Sequence, residues 1–415
     1  MNDTKENNDI KYLTPKITAP KGFLSGGLHS GVKKYKKDLS IIYSKAPALC
    51  SAVYTKNVVK APPLWWCEKL TKNNEKIQAI VINSGNANAC TGQKGYEDAL
   101  IMAKTAADML SIPKNSVMVT STGVIGVFLP IEKIKEGIKN LVPLLNDDDE
   151  SADNCARGIL TTDTFKKEIT LEIEIKNTKV TISGIAKGSG MIHPNMATML
   201  NFITTDVNIE KELLDEAFKS NIDDSFNMIT VDGETSTNDM AVILANGMAN
   251  NPIINKKDED FEKFKKALFI VTRELAKDIV KDGEGASKFI ECTVKGAKTK
   301  KDARVLVKAI LNSNLVKTAF FGEDANWGRV ISAMGATEID FDPDKVTIDF
   351  KNEKGIIRLY ENGTPVIFDE DFALKILKEK EIKILIQINE GDFEATGWGC
   401  DLSYDYVKIN AEYRS

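Results

Sequence analysis

Histidine is nearly absent: only His29 and His193 occur among 415 residues. A multi-histidine zinc site is therefore excluded, and a histidine-dependent triad has two candidates at most. His193 precedes Pro194, which biases it toward extended backbone, and a structural loop role and a proton-transfer role both stay open for it. The six cysteines, Cys50, Cys67, Cys90, Cys155, Cys292 and Cys400, are scattered singly. Without a C-x-x-C pair they read as reduced thiols. No run approaches the ~18 apolar residues of a membrane span. Met1 to Ile10 is polar and lacks a signal-like apolar stretch, so the expectation is a soluble, cytoplasmic protein. The net charge is −5, and lysines alternate with acids, as in Lys133-Ile-Lys-Glu136. Such runs form solvated helix faces and point to neither nucleic acid nor membrane. Phosphate loops of the G-x-G-x-x-G or G-x-x-x-x-G-K-[ST] type and the G-x-S-x-G elbow are missing as well.

What is present fits a layered α/β fold. The length favours two or three domains. Residues 1 to 38 read as an irregular lead-in. Strands are expected at Leu39–Tyr43 and Ala48–Tyr54, split by Pro47, and at Gln78–Ile82, which runs into the loop Asn83-Ser-Gly-Asn-Ala-Asn-Ala-Cys-Thr-Gly92. Helical spacing follows at Tyr96–Leu110, Ile131–Leu141 and Glu150–Leu160, with a short strand at Val117–Thr120 between the first two. Glu168–Ile175 and Lys179–Ile185 alternate around Asn177 as a hairpin. Asp258–Val280 is the longest helical pattern. It stops at Lys281-Asp-Gly-Glu-Gly-Ala-Ser287, which reads as an exposed turn carrying Glu284. The remainder, from Thr347, reads as strands with one helix, Glu370–Leu377.

Three strand ends deliver small polar residues. Ser121-Thr-Gly-Val-Ile-Gly126 places a hydroxyl beside backbone N–H groups around a glycine, the construction of an oxyanion hole. Met228 to Asp239 ends in carboxylates, hydroxyls and amides, but Asp232, Glu234 and Asp239 lack the spacing and terminal glutamate of a Ca²⁺ loop, and no metal is expected. The third is central: Lys187-Gly-Ser-Gly-Met-Ile-His-Pro-Asn-Met-Ala-Thr198 is a broken loop entering an apolar strand, Met199 to Val207. A threonine exposed as a chain terminus gains its own α-amine as base. From local chemistry alone, a plain loop-to-strand junction is the leading reading of Thr198.

Taken together and in order, Ser84–Gly92, Ser121–Gly126, Lys187–Thr198, Asp232–Asp239 and Asp324-Ala-Asn-Trp-Gly-Arg329 resemble the ornithine acetyltransferase family of arginine biosynthesis, over nearly the whole chain. The resemblance implies a two-domain α/β/β/α sandwich. It also implies a precursor that cuts itself between Ala197 and Thr198, giving an α-chain of residues 1 to 197 and a β-chain of 198 to 415, assembled as α₂β₂. Thr198 would be the nucleophile, carrying acetyl from N²-acetylornithine to glutamate without a cofactor. Thr122 and Gly123 would form the oxyanion hole, and Thr164, Lys187, Thr198, Glu284, Asn410 and Ser415 the substrate contacts. Lys187 suits a substrate carboxylate, and Glu284 the ornithine ammonium. Family members occur with and without use of acetyl-CoA as a further donor; no separate CoA motif marks the difference, and the bifunctional form is the expectation. Val127-Phe128, where more polar residues are common, and Glu234, where aspartate is usual, depart from the pattern without touching these roles. The rival within catalysis is an N-terminal-threonine amidohydrolase or aminopeptidase that passes the acyl group to water; outside catalysis, it is an uncut small-molecule binding protein.

Overall fold

The computed structural model describes residues 10–193 and 199–412. Among them, two sheets form, each inside its own compact unit. The first unit takes in residues 10–188, 199–223 and 235–275, and the second 189–193, 224–234 and 276–412.

The first sheet has nine strands. Its middle is Met240–Ala245, six consecutive buried residues. This strand lies parallel to Leu200–Thr205 on one side and antiparallel to Leu39–Tyr54 on the other. A strand buried on both faces has no reason to alternate, and its run of Met, Ala, Val, Ile and Leu reflects that. The hairpin Lys167–Ile175 and Thr178–Lys187 turns on Lys176 and Asn177, both at positive φ (48° and 63°). Two such residues in succession match the twist of the flanking strands. Pro62–Lys72 and Gly92–Leu110 pack against the Ile77–Asn86 and Val117–Val124 end of the sheet. Their buried Leu64, Met102, Ala103 and Ala106 join Ile41, Ile80, Val81 and Val119 in one core.

Three sequence expectations change here. The lead-in is not irregular, because Ile10–Leu13 and Phe23–Leu28 are strands. Gly26-Gly27 hid the second. A Cβ on Gly27 would lie 2.1 Å from the Asn154 carbonyl oxygen, so the helix Asp149–Gly158 packs directly on strand backbone. Leu39–Tyr54 is one strand rather than two, with its register shifting between Tyr43 and Ala48; exposed Pro47 sits in that irregularity, where no ladder donor is needed. The strand at 77 continues to Asn86 and that at 117 to Val124, so both polar segments begin inside the sheet.

The second sheet has seven strands, with Phe289–Ala297 between parallel Glu381–Gln387 and antiparallel Phe393–Cys400. Lys300–Asn312 covers Phe289–Ala297 and Phe393–Cys400, with Leu306, Val307 and Ile310 buried. Three helices went unread in the sequence, Pro62–Lys72, Asn314–Phe321 and Tyr404–Ala411; Ser313 and Ser403 cap the last two through their hydroxyls. Among the described residues no helix is long and apolar enough to cross a membrane.

Candidate active site

In the first unit the polar groups gather where two parallel strands end side by side. Ile77–Asn86 and Val117–Val124 run in register, with Ser84 beside Thr122 and Gly85 beside Gly123. Gly123 has φ of 132°, and a Cβ there would lie 2.3 Å from the Gly85 carbonyl carbon. Only glycine allows this approach. The hydroxyl of Ser121 donates to Asn83 Oδ1 at 2.6 Å. Asn238 donates its amide to the carbonyls of Ala87 and Ser121. One side chain from the Met228 to Asp239 segment thus binds the segments that begin at Asn83 and Ser121 together, although more than a hundred residues separate it from either.

Lys187, the last residue of Thr178–Lys187, donates from Nζ to the Thr122 hydroxyl at 3.2 Å. An ammonium cannot accept a hydrogen bond. The Thr122 oxygen must therefore be the acceptor, which leaves its own O–H to donate elsewhere. That proton is polarised by the neighbouring cation. A hydroxyl and a glycine N–H at a strand end, backed by an ammonium, can stabilise a developing oxyanion.

Beneath Lys187 lies a carboxylate that sequence reading passed over. Asp163 Oδ1 accepts from Lys167 Nζ and from Gly188 N, both at 2.7 Å, and Oδ2 accepts from Thr161 N at 2.9 Å. The side chains of Asp163 and Lys167 are fully buried. Burial alone would raise the Asp163 carboxyl, but the ammonium groups of Lys167 and Lys187 outweigh it and hold the group well below the usual carboxylate range. Burial, with Lys187 close by, brings Lys33 down to about 8. Asp239 is the opposite case: full burial pushes its carboxyl well above the usual range, Lys187 countering only in part. Thr164 is exposed on the loop that carries Asp163.

In the second unit, Glu284 and Asn410 meet, the Asn410 amide donating to Glu284 Oε2 at 3.0 Å. Glu284 is buried, not on an exposed turn as its two glycines had implied. Gly285, at φ 70°, lies against the backbone of Asp405 and Tyr406 in the terminal helix, and a Cβ on Gly190 would fall 2.3 Å from the Glu284 carboxylate. The glycines serve close packing, which buries the acid between them. Asp232 grips the neighbouring loop, accepting from Met191 N at 2.6 Å and Ile192 N at 2.8 Å. The Ile192 carbonyl in turn accepts from Val231 N at 2.7 Å. His193 contacts Asn312 and Thr230, and burial, with Lys308 nearby, lowers it to about 4. It is a neutral ring at pH 7, held in a loop.

Of the residues singled out from the sequence, the structure joins Thr122 with Lys187 and Glu284 with Asn410. Ala197, Thr198 and Ser415 lie outside the described residues. Leu200, two residues after Thr198, pairs with Lys187 across the sheet. The sequence reading missed Asp163 and Asn238 as site residues. Asp163 and Lys167 stand four apart, but on a bend rather than a helix, so the spacing gave no signal.

Fold and site define a layered α/β enzyme with an anion-stabilising strand end. The ArgJ family model matches residues 24–415. The arginine biosynthesis bifunctional protein ArgJ of Caldanaerobacter subterraneus subsp. tengcongensis is 53% identical over 98% of this chain and 100% of its own length. That of Listeria monocytogenes serovar 1/2a is 49% identical over 98% and 100%. The ornithine acetyltransferase of Mycobacterium tuberculosis, solved in complex with ornithine, is 33% identical over 45% of this chain and 100% of that one, with a TM-score of 0.42. The chain belongs to the ArgJ family and is an enzyme of arginine biosynthesis.

Proposed function

We propose that the enzyme transfers acetyl from N²-acetylornithine to glutamate through an acetyl-Thr198 intermediate, after cutting itself between Ala197 and Thr198. The observation that carries this reading is the Lys187 ammonium on the Thr122 hydroxyl beside Gly123, in a chain matched nearly end to end by ArgJ relatives.

For cleavage, the Thr198 hydroxyl adds to the Ala197 carbonyl carbon and the Ala197–Thr198 C–N bond breaks, the amine keeping its proton and gaining the hydroxyl's. Water then hydrolyses the ester, leaving an Ala197 carboxylate and a free threonine α-amine. With an ordinary pKa of about 7.7–8.0, that amine is a suitable base near neutrality. In transfer, it takes the hydroxyl proton as Thr198 attacks the acetyl carbonyl, and the Thr122 O–H and Gly123 N–H receive the oxyanion. Ornithine leaves, its nitrogen taking the proton back, and the amine of glutamate repeats the attack on the ester. No cofactor is called for, since every proton has a resident donor or acceptor.

The Lys187 ammonium, a donor only, suits a substrate carboxylate. Glu284 suits the side-chain ammonium of ornithine, with Asn410 holding one carboxylate oxygen; Thr164 and Ser415 complete the substrate contacts. The bifunctional names of the relatives favour acetyl-CoA as a second donor. An α₂β₂ assembly and a cytoplasmic location go with this reading.

Denaturing electrophoresis with mass analysis tests it. Wild type should give two fragments, the first ending at Ala197, and Thr198→Ala one inactive chain. Acetyl should pass to glutamate in excess over water. An uncut, fully active wild type would sink the mechanism, and release of free acetate in place of acetylglutamate would identify a hydrolase.

A further inference from the structure

Charge buried away from water needs a reason. Desolvating a carboxylate and an ammonium costs several kcal/mol each, and an apolar pair of similar volume often serves the fold as well or better. Asp163 and Lys167 are nonetheless paired with no exposure at either side chain. What the pair achieves is visible in its remaining bond. Asp163 Oδ1, shared with Lys167, accepts from Gly188 N. Lys187 is the last residue of its strand to pair with Leu200, so Gly188 carries the first N–H beyond the ladder. Fixing that N–H fixes the direction in which the chain leaves the strand, and with it the Cα–Cβ direction of Lys187.

On this geometry we propose that Asp163 is a positioning residue: through Gly188 it holds the Lys187 ammonium on the Thr122 hydroxyl, and Lys167 holds Asp163 in place. The inference rests on the reading of Thr122 and Lys187 given above. Asp163 makes and breaks no bond in the reaction. Its charge opposes that of Lys187, and its second oxygen is tied to Thr161 N, so the carboxylate cannot turn away.

The test is a mutant cycle. Asp163→Leu/Lys167→Met removes both charges together, sparing the fold an unpaired ion. Its kcat for acetyl transfer should fall by about 10- to 100-fold, less than the roughly 100- to 1,000-fold loss that follows outright removal of one oxyanion donor, while its thermal midpoint stays near that of wild type. In a Lys187→Met background the same double change should alter kcat by no more than about twofold, because a residue that acts through Lys187 has nothing left to position. Equal losses in both backgrounds, or no loss in the first, would overturn the proposal. If the Leu/Met pair does not fold, Asp163→Asn/Lys167→Met takes its place in the same cycle, and failure of both to fold assigns the pair to stability and overturns it too. Wild-type kcat in Lys187→Met alone would count against the underlying reading of the site instead.

Discussion

Asp239 and Asp163 are both buried acids of the first unit, and their surroundings drive them in opposite directions. Asp163 has two ammonium groups and backbone donors, and stays ionised. Asp239 is buried without a hydrogen-bond partner at Oδ2, and burial pushes its carboxyl well above the usual carboxylate range, toward the neutral form. A group whose folded pKa lies above its unfolded value of ~3.9 favours the folded state fully only below that value. Its contribution is lost as pH rises toward the folded value, because the unfolded chain ionises freely and the folded one cannot. Asp239→Asn has the same shape and no proton to lose. The variant should therefore gain in thermal midpoint relative to wild type as pH rises from about 4 to 7, with no gain at or below pH 4. Calorimetry across that range checks it; a difference independent of pH would show that Asp239 is not held neutral.

At the scale of elements, the site is made by strand ends, and that governs how much of it could be read in advance. The hairpin and the long helix were legible because each repeats one pattern over many residues: alternation or a 3.6-residue period. Asn83–Asn86 and Ser121–Val124 were not legible as strand, since their glycines and amides speak for turns. They are held extended by each other and by Asn238, a partner far away in sequence. The five motifs could be placed in order, but no local rule says that Asn238 ties two of them together or that Asp163 lies beneath Lys187. Gly123 tests the construction. With φ at 132° and a Cβ position 2.3 Å from the Gly85 backbone, Gly123→Ala must push the two strand ends apart. A cost of about 1–3 kcal/mol in stability should accompany a loss of transfer activity of at least about tenfold. Gly126→Ala is the control: its added Cβ meets nothing within 4 Å, so only the strain of its φ of 82° is felt. If Gly123→Ala behaved like the control, in both thermal midpoint and kcat, the strand-end hole would be wrong.

At the scale of the molecule, a cut at residue 197 would not follow the boundary between the compact units; it would pass through the first sheet. Leu200–Thr205 would belong to the second fragment, yet it pairs over six residues with Thr178–Lys187 of the first fragment. Met240–Ala245, also of the second, pairs over six residues with Leu39–Tyr54 of the first. Leu200, Phe202, Ile203, Val242, Ile243 and Leu244 are all buried in that sheet. Pulling the fragments apart would expose them at ~1.5–3 kcal/mol each, on the order of 10 kcal/mol in total, before any ladder hydrogen bond is counted. The first fragment would likewise keep Ile192 anchored on Asp232 and Val231 of the second. The cleaved enzyme should thus behave as one folded body: its two fragments should co-elute in native size exclusion at a 1:1 ratio and separate only in denaturant. Cleavage should leave the circular dichroism of Thr198→Ala and wild type superimposable. Recovery of either fragment alone from native buffer, with its secondary structure intact, would contradict a sheet woven from both.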